Sequence, residues 1–281
     1  MGKQAVPMVG FDRVTLITGG SRGIGEACAR AFVEAGGSVV ICARKVADGE
    51  KLAAELNARW PGRCHYERCD VSDPDQVQHV VEKTVELYGR LDCLINNAGR
   101  HPDHHPIDEF SAEEFEELLR TNLVSYFAAA KYALPHLRKT KGSIINMSSL
   151  VGDIGQEWAT TYCATKGGIT AFTKALAVDE ARHGVRVNAV SPGNVATPLY
   201  WVYVNAQQDW QAVMDLCDSW QWMGRLANPE EVANACLFLA SDGASFVTGI
   251  ELLVTGGAEL AYGIKRPSEY MVNTQTPSKQ R

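Results

Sequence analysis

The 281-residue chain has no Cys-x-x-Cys pair, no apolar run long enough to span a membrane and no surplus of positive charge. Each absence removes a class of protein. The eight cysteines (Cys28, Cys42, Cys64, Cys69, Cys93, Cys163, Cys217 and Cys236) are scattered through apolar segments with no clustered histidine, which excludes a disulfide scaffold or zinc framework and leaves reduced core thiols. His101, His104 and His105 are interleaved with Pro102, Asp103 and Pro106 in no recognised ligand spacing, so no metal is expected. With 27 Lys and Arg against 33 Asp and Glu, the net charge of -6 attracts neither nucleic-acid phosphates nor anionic lipid, and the expected partner is a small molecule. The first fifteen residues lack a hydrophobic signal core and Val6 breaks the myristoylation pattern, which makes a cytoplasmic address the expectation.

What is present suits one sizeable α/β domain: 46% apolar residues and 25 glycines. Short β-branched runs at 14–18, 38–43, 64–70, 93–98, 143–149, 186–191 and 250–255 alternate with helical patterns. Parallel strands need right-handed crossovers, so helices must cover both faces of a seven-stranded, doubly wound (Rossmann) sheet, with ligands beyond the strands' carboxyl ends. The expected domain runs over 11–263, between an extension at 1–10 and a polar tail at 264–281. Two long helices, 112–138 and 156–183, carry more apolar surface than one sheet face needs, which points to an oligomer. Residues 196–222 break the alternation and hold Trp201, Trp210, Trp220 and Trp222 after a strand's carboxyl end, the place for a substrate lid.

The run from Thr18 to Gly25 follows a predicted strand and opens a predicted helix, so the amides around Gly19, Ser21, Arg22, Gly23 and Ile24 face a pyrophosphate. Where dinucleotide folds selective for NAD carry an acid, the second strand ends in Ala43-Arg44-Lys45. Arg44 is suited to a 2′-phosphate, which favours NADP(H) and leaves NAD(H) possible if Arg44 is only a solvated loop residue. Asp70 and Val71 are candidates to hold the adenine, with Asn97, Ala98 and Gly99 as a floor beneath it.

Tyr162 and Lys166 stand one helical turn apart, thirteen residues after Ser149. A phenol near pKa 10 is only about 0.1% ionised at neutral pH, so Tyr162 needs help to act as a base. An ammonium roughly 4 Å away supplies about 4 kcal/mol at an effective dielectric of 20, before desolvation is subtracted. Lys166 is placed to provide it.

Together, Thr18 to Gly25, Asn96-Asn97-Ala98-Gly99, Asn122, Ser149, Tyr162, Lys166 and the segment from Pro192 to Thr197 resemble the short-chain dehydrogenase/reductase family, over about 11–263. The resemblance implies Tyr162 as acid/base, Ser149 as hydrogen-bond donor to the substrate oxygen, and Lys166 as the group that lowers the phenol and holds the nicotinamide ribose. Asn122 would hold a water linking Lys166 to solvent, or else mark a helix bend. Pro192 and Gly193 would shape a turn that brings Val195 and Thr197 to the nicotinamide carboxamide. Family members are commonly homotetramers built on the two long helices and the last strand.

Within the family, the stretches 97–102, 148–156, 191–194 and 248–260 resemble the branch of 17β-hydroxysteroid and L-fucose dehydrogenases. Two departures stand out: the absent acid near Arg44 and the chain's own lid sequence from Tyr200. His101 and Gln156 are candidates to bind substrate hydroxyls, with Ser149 and Trp201 completing the pocket. The expected reaction moves a hydride between a nicotinamide and a secondary alcohol, ketone or sugar lactol. A 3-oxoacyl-type carbonyl reductase using NADPH shares every catalytic residue, and a non-catalytic dinucleotide-binding protein is the remaining alternative.

Overall fold

The computed structural model describes residues 11–206 and 208–261, Tyr203 by its backbone alone. The expected extension at 1–10 and tail at 264–281 lie outside these residues, as do 262 and 263. Seven parallel strands form one sheet: β1 (Val14–Thr18), β2 (Ser38–Ala43), β3 (Cys64–Arg68), β4 (Cys93–Asn96), β5 (Ser143–Met147), β6 (Arg186–Pro192) and β7 (Glu251–Val254). Their spatial order is β3-β2-β1-β4-β5-β6-β7. The chain therefore moves outward from β1 to β3 and returns to place β4 against β1, opening a crevice at their carboxyl ends.

Strand residues alternate into two cores. Ile17, Val39, Ile41, Ile95 and Ile145 pack beneath α1 (Gly23–Glu34), α2 (Val46–Arg59) and, further along the chain, residues 229–240. Leu16, Val40, Leu94 and Ile144 face the opposite side, against α3 (Pro74–Tyr88) and residues 125–180. Full burial of such side chains contributes about 1.5–3 kcal/mol each, which is why these strands read as continuous apolar runs.

The region expected as one helix over 112–138 is broken. It comprises α4 (Ala112–Leu119), a π turn (Arg120–Val124) and α5 (Ser125–Thr140). After the short α6 (Val151–Ile154) comes α7 (Thr160–Glu180), which starts four residues later than expected. The expected lid folds as α8 (Pro198–Asn205) and α9 (Trp210–Ser219), before α10 (Pro229–Ala240) covers the sheet. Four strands, β3, β4, β5 and β7, also stop one or two residues early, the first two for visible reasons. Ser72 turns the chain at Asp70 by donating its amide and hydroxyl to Oδ1, at 3.0 and 2.7 Å, and Thr18 bends the chain at Asn97. All eight cysteines are free, seven of them buried. Among the described residues no helix is long and apolar enough to cross a membrane.

Candidate active site

The crevice is floored by the turn from β1 into α1. Gly19 has φ +65°, and a Cβ there would come within 2.9 Å of Ala98 Cα. A Cβ on Gly25 would lie 2.2 Å from Gly19 O, so only glycine lets the helix start so close to the strand. Where Asp73 caps α3 with its side chain, the residue before α1, Arg22, provides no side-chain cap. The first amides of α1 are therefore open donors aimed out of the fold, beside the buried Ser21 and the half-buried Ile24. Such a cradle fits a dinucleotide pyrophosphate. Thr197 returns over it, its Cβ 3.5 Å from the place a side chain on Gly23 would take.

Thr18, given no role by the sequence reading, organises the second wall. Its buried Oγ1 accepts from the amides of Asn97 and Ala98, at 3.0 and 3.1 Å. Asn97 Nδ2 in turn donates to the carbonyls of Thr18 and Gly19, at 2.9 and 3.0 Å. A threonine closing a strand before the glycine turn is the signal that marks it. At the end of β2, Arg44 is exposed. Asp70 lies near enough to feel its charge: burial pushes that carboxyl up, but the Ser72 hydroxyl and amide, aided by Arg44, outweigh it and hold it below the usual range. Val71 packs on the core beside it.

Ser149, Tyr162 and Lys166, the side chains expected to react, converge at the carboxyl end of β5. Tyr162 and Lys166 sit in the first two turns of α7, with Lys166 only 4% exposed. Ser148, also buried, donates to the Lys166 carbonyl at 3.0 Å and so pins α7 to the sheet. Its neighbour Ser149 hydrogen-bonds the Tyr162 phenol. Burial pushes that phenol up to about 12 against the lowering effect of Ser149, and burial brings Lys166 down to about 7. The ammonium donates to Met147 O at 2.7 Å and stands 5.6 Å from the Tyr162 ring centroid. In this arrangement burial, not the lysine charge, sets the phenol's proton affinity. The lysine's Nζ is instead engaged by the Met147 carbonyl.

His101 lies over Tyr162, ring centroids 4.0 Å apart, and its Nε2 is 3.4 Å from Gln156 Oε1. Its Nδ1 is 2.6 Å from Pro102 O; a carbonyl only accepts, so Nδ1 carries a hydrogen. Asn122 lies in the π turn, fully buried. Its Nδ2 donates to Arg100 O at 2.9 Å and to Thr165 Oγ1 at 3.2 Å, while Oδ1 accepts from Arg100 N at 2.9 Å. Both amide hydrogens are thus engaged by protein, and only an Oδ1 lone pair remains for a water. A Cβ on Gly99 would sit 3.3 Å from Asn122 Oδ1 and 4.0 Å from Lys166 Nζ, so Gly99 keeps this corner open.

Pro192 ends β6 and accepts from Leu150 N at 3.1 Å, and Gly193 N donates to Val254 O at 3.1 Å. Val195 is buried and bridges to Ala227, which carries the chain back across the crevice. Trp201, on α8, packs edge-on against Tyr200, while Trp222 Nε1 donates to Leu260 O at 3.1 Å and ties the end of the expected lid to the segment after β7.

Residues 19–259 match the short-chain alcohol dehydrogenase family model described as enoyl-(acyl carrier protein) reductase. The chain belongs to the short-chain dehydrogenase/reductase family, and is thus an oxidoreductase that uses a nicotinamide cofactor at a CH–OH or carbonyl group. It is 51% identical to L-fucose dehydrogenase of Mus musculus over 255 residues, 90% of each chain. The fold superposes on the crystal structure of Cj0485 dehydrogenase with a TM-score of 0.85 and 30% identity, over 91% of this chain and 97% of that one. Aldohexose dehydrogenase of Thermoplasma acidophilum gives 0.81 and 32% over the same shares.

Proposed function

We propose that this enzyme oxidises L-fucose or a closely related aldose at its lactol carbon, with NADP+ preferred over NAD+. The observation that carries the reading is the cluster of Ser149, Tyr162, His101 and Gln156. In it His101 lies over Tyr162 and meets Gln156, which supports a pair of side chains able to bind substrate hydroxyls beside the acid/base. Identity of 51% to a sugar dehydrogenase supports the same substrate class.

The nicotinamide supplies the hydride acceptor. Ser149 and Tyr162 hold the anomeric hydroxyl, and Tyr162 takes its proton as the C–H bond breaks. Lys166, turned from Met147, holds the nicotinamide ribose and lowers the phenol. Asn122 fixes the loop at Arg100 and, through Thr165, the start of α7. Gly19, Ser21, Arg22, Gly23 and Ile24 hold the pyrophosphate, Asp70 and Val71 the adenine, with Asn97, Ala98 and Gly99 below. Pro192, Gly193, Val195 and Thr197 frame the carboxamide. Arg44, exposed at the end of β2, takes the 2′-phosphate. His101 and Gln156 bind sugar hydroxyls and Trp201 closes over the ring from the lid. A hydroxysteroid alcohol is the second reading, favoured by the exposed apolar side chains Leu199, Trp201 and Val202 on α8.

The enzyme is a cytoplasmic homotetramer in this reading. Eight free thiols suit a reducing compartment. Phe127 on α5, Val178 on α7 and Leu253 on β7 are exposed apolar side chains on the three elements that would pair. The test is a matrix of initial rates, NAD+ and NADP+ against L-fucose, other aldoses and estradiol, with a β-ketoacyl thioester and NADPH in the reverse direction. The proposal expects L-fucose with NADP+ to give the largest kcat/KM; a preference for the thioester overturns it.

A further inference from the structure

Lys166 and Tyr126 share one acceptor. The Met147 carbonyl oxygen receives Lys166 Nζ at 2.7 Å and the Tyr126 hydroxyl, from α5, at 3.2 Å. Both side chains are buried, 4% and 1% exposed, and the Tyr126 ring centroid lies 6.0 Å from Nζ. The π turn is what brings Tyr126 here. One extra residue in a turn rotates everything after it by about 100°, so a regular helix through 120–124 would carry position 126 away from the end of β5.

We infer that Tyr126 is a positioning residue for Lys166, acting through the Met147 carbonyl that the two side chains share. The inference rests on the reading that Lys166 serves the cofactor and the phenol. A carbonyl oxygen accepts two donors, but each bond draws on the same electron density, so the Tyr126 hydroxyl weakens the hold of Met147 on the ammonium. That leaves Lys166 free to turn from its resting acceptor toward the crevice. Without the hydroxyl, the charged lysine has the oxygen to itself and is held there more firmly.

The titratable groups that face Lys166 are Tyr162 on its own helix and Tyr126 on α5, with His101 one ring further out over Tyr162. Asn122 and Met147 present only uncharged groups, burial lowers the ammonium's proton affinity, and no carboxylate acts on it. A change at Met147 is therefore felt directly in the pH at which Lys166 loses its charge.

The test is binding of NADPH, followed by fluorescence from about pH 6 to about 9, which bracket the lysine's midpoint. In the unaltered enzyme affinity falls as pH rises through about 7, as Lys166 is neutralised. In Tyr126→Phe the midpoint moves upward by about 0.5 to 1 pH unit, the worth of one hydrogen bond. Tyr126→Leu moves it in the same direction by at least as much. An unmoved midpoint in a folded Tyr126→Phe, with the pH dependence abolished in Lys166→Met, overturns the inference and makes Tyr126 a packing residue. Persistence of the pH dependence in Lys166→Met overturns the assignment of Lys166 itself.

Discussion

The His101 ring is stacked on Tyr162, centroids 4.0 Å apart and planes inclined by 39°, in the same stroke that brings its Nε2 within 3.4 Å of Gln156. In the proposed reaction this one side chain both packs on the acid/base and offers a polar edge to substrate. His101→Phe separates the two roles by keeping the stack and losing the edge. KM for L-fucose is expected to rise about tenfold, one hydrogen bond's worth, with kcat within about threefold. His101→Ala loses the stack as well and lowers kcat further. Steady-state kinetics on both variants check this, and an unchanged KM in each removes His101 from the pocket.

Ser149 hydrogen-bonds the phenol and, in the proposed reaction, donates to the substrate oxygen. Ser149→Ala is expected to lower kcat by about 10² to 10³, with NADPH affinity retained. The pH profile carries a second signature. The Ser149 bond lowers the phenol against the upward push of burial, so its loss raises the phenol's pKa. Oxidation needs the deprotonated phenol, and the rising limb of kcat therefore shifts to higher pH.

Much of this was legible beforehand, for reasons specific to each element. Val14–Thr18 and Ser38–Ala43 match the expected strands to the residue, because both are buried on either face and bounded by glycine. The break at Arg120–Val124 was not legible: a π turn displaces the apolar stripe by one position, less than the scatter of a 3.6-residue pattern. Asn122 was the one visible sign of it. Contacts distant in sequence were also hidden. No periodicity shows that Lys166 rests on Met147, that Thr18 clamps Asn97 and Ala98, or that Tyr126 reaches the same carbonyl as the lysine.

Arg44 stands exposed at the end of β2, where no carboxylate side chain follows until Asp48, already inside α2. Arg44→Asp removes the guanidinium offered to a 2′-phosphate and restores an acceptor for a ribose hydroxyl. The ratio of kcat/KM for NADP+ to that for NAD+ is expected to fall by at least about tenfold, from loss of a charge-assisted pair. A ratio unaffected by the substitution assigns the adenosine phosphate to other residues.

Far from the crevice, Arg138 Nε and Nη2 fork onto the Glu180 carboxylate at 2.8 and 2.6 Å, joining α5 to α7. Glu180 is 3% exposed, and Arg138 holds its carboxyl below the ordinary value. Arg138→Ala leaves that charge unpaired and is expected to cost about 2 kcal/mol at neutral pH. A carboxylate with a lowered pKa stabilises the fold above its unfolded value, near 4.3, and ceases to do so as pH falls through the folded one. The gap between the two proteins in urea unfolding should therefore close below about pH 4.

In the proposed reaction Tyr162 moves the proton while a sugar lactol gives up its hydride, and Tyr162→Phe removes the group that does so. Formation of reduced nicotinamide from L-fucose and NADP+ is measured for both proteins, alongside NADPH binding. Turnover is expected to fall by about 10² to 10⁴ with cofactor affinity unchanged. Comparable turnover in Tyr162→Phe, or no oxidation of any aldose by the unaltered enzyme, contradicts it.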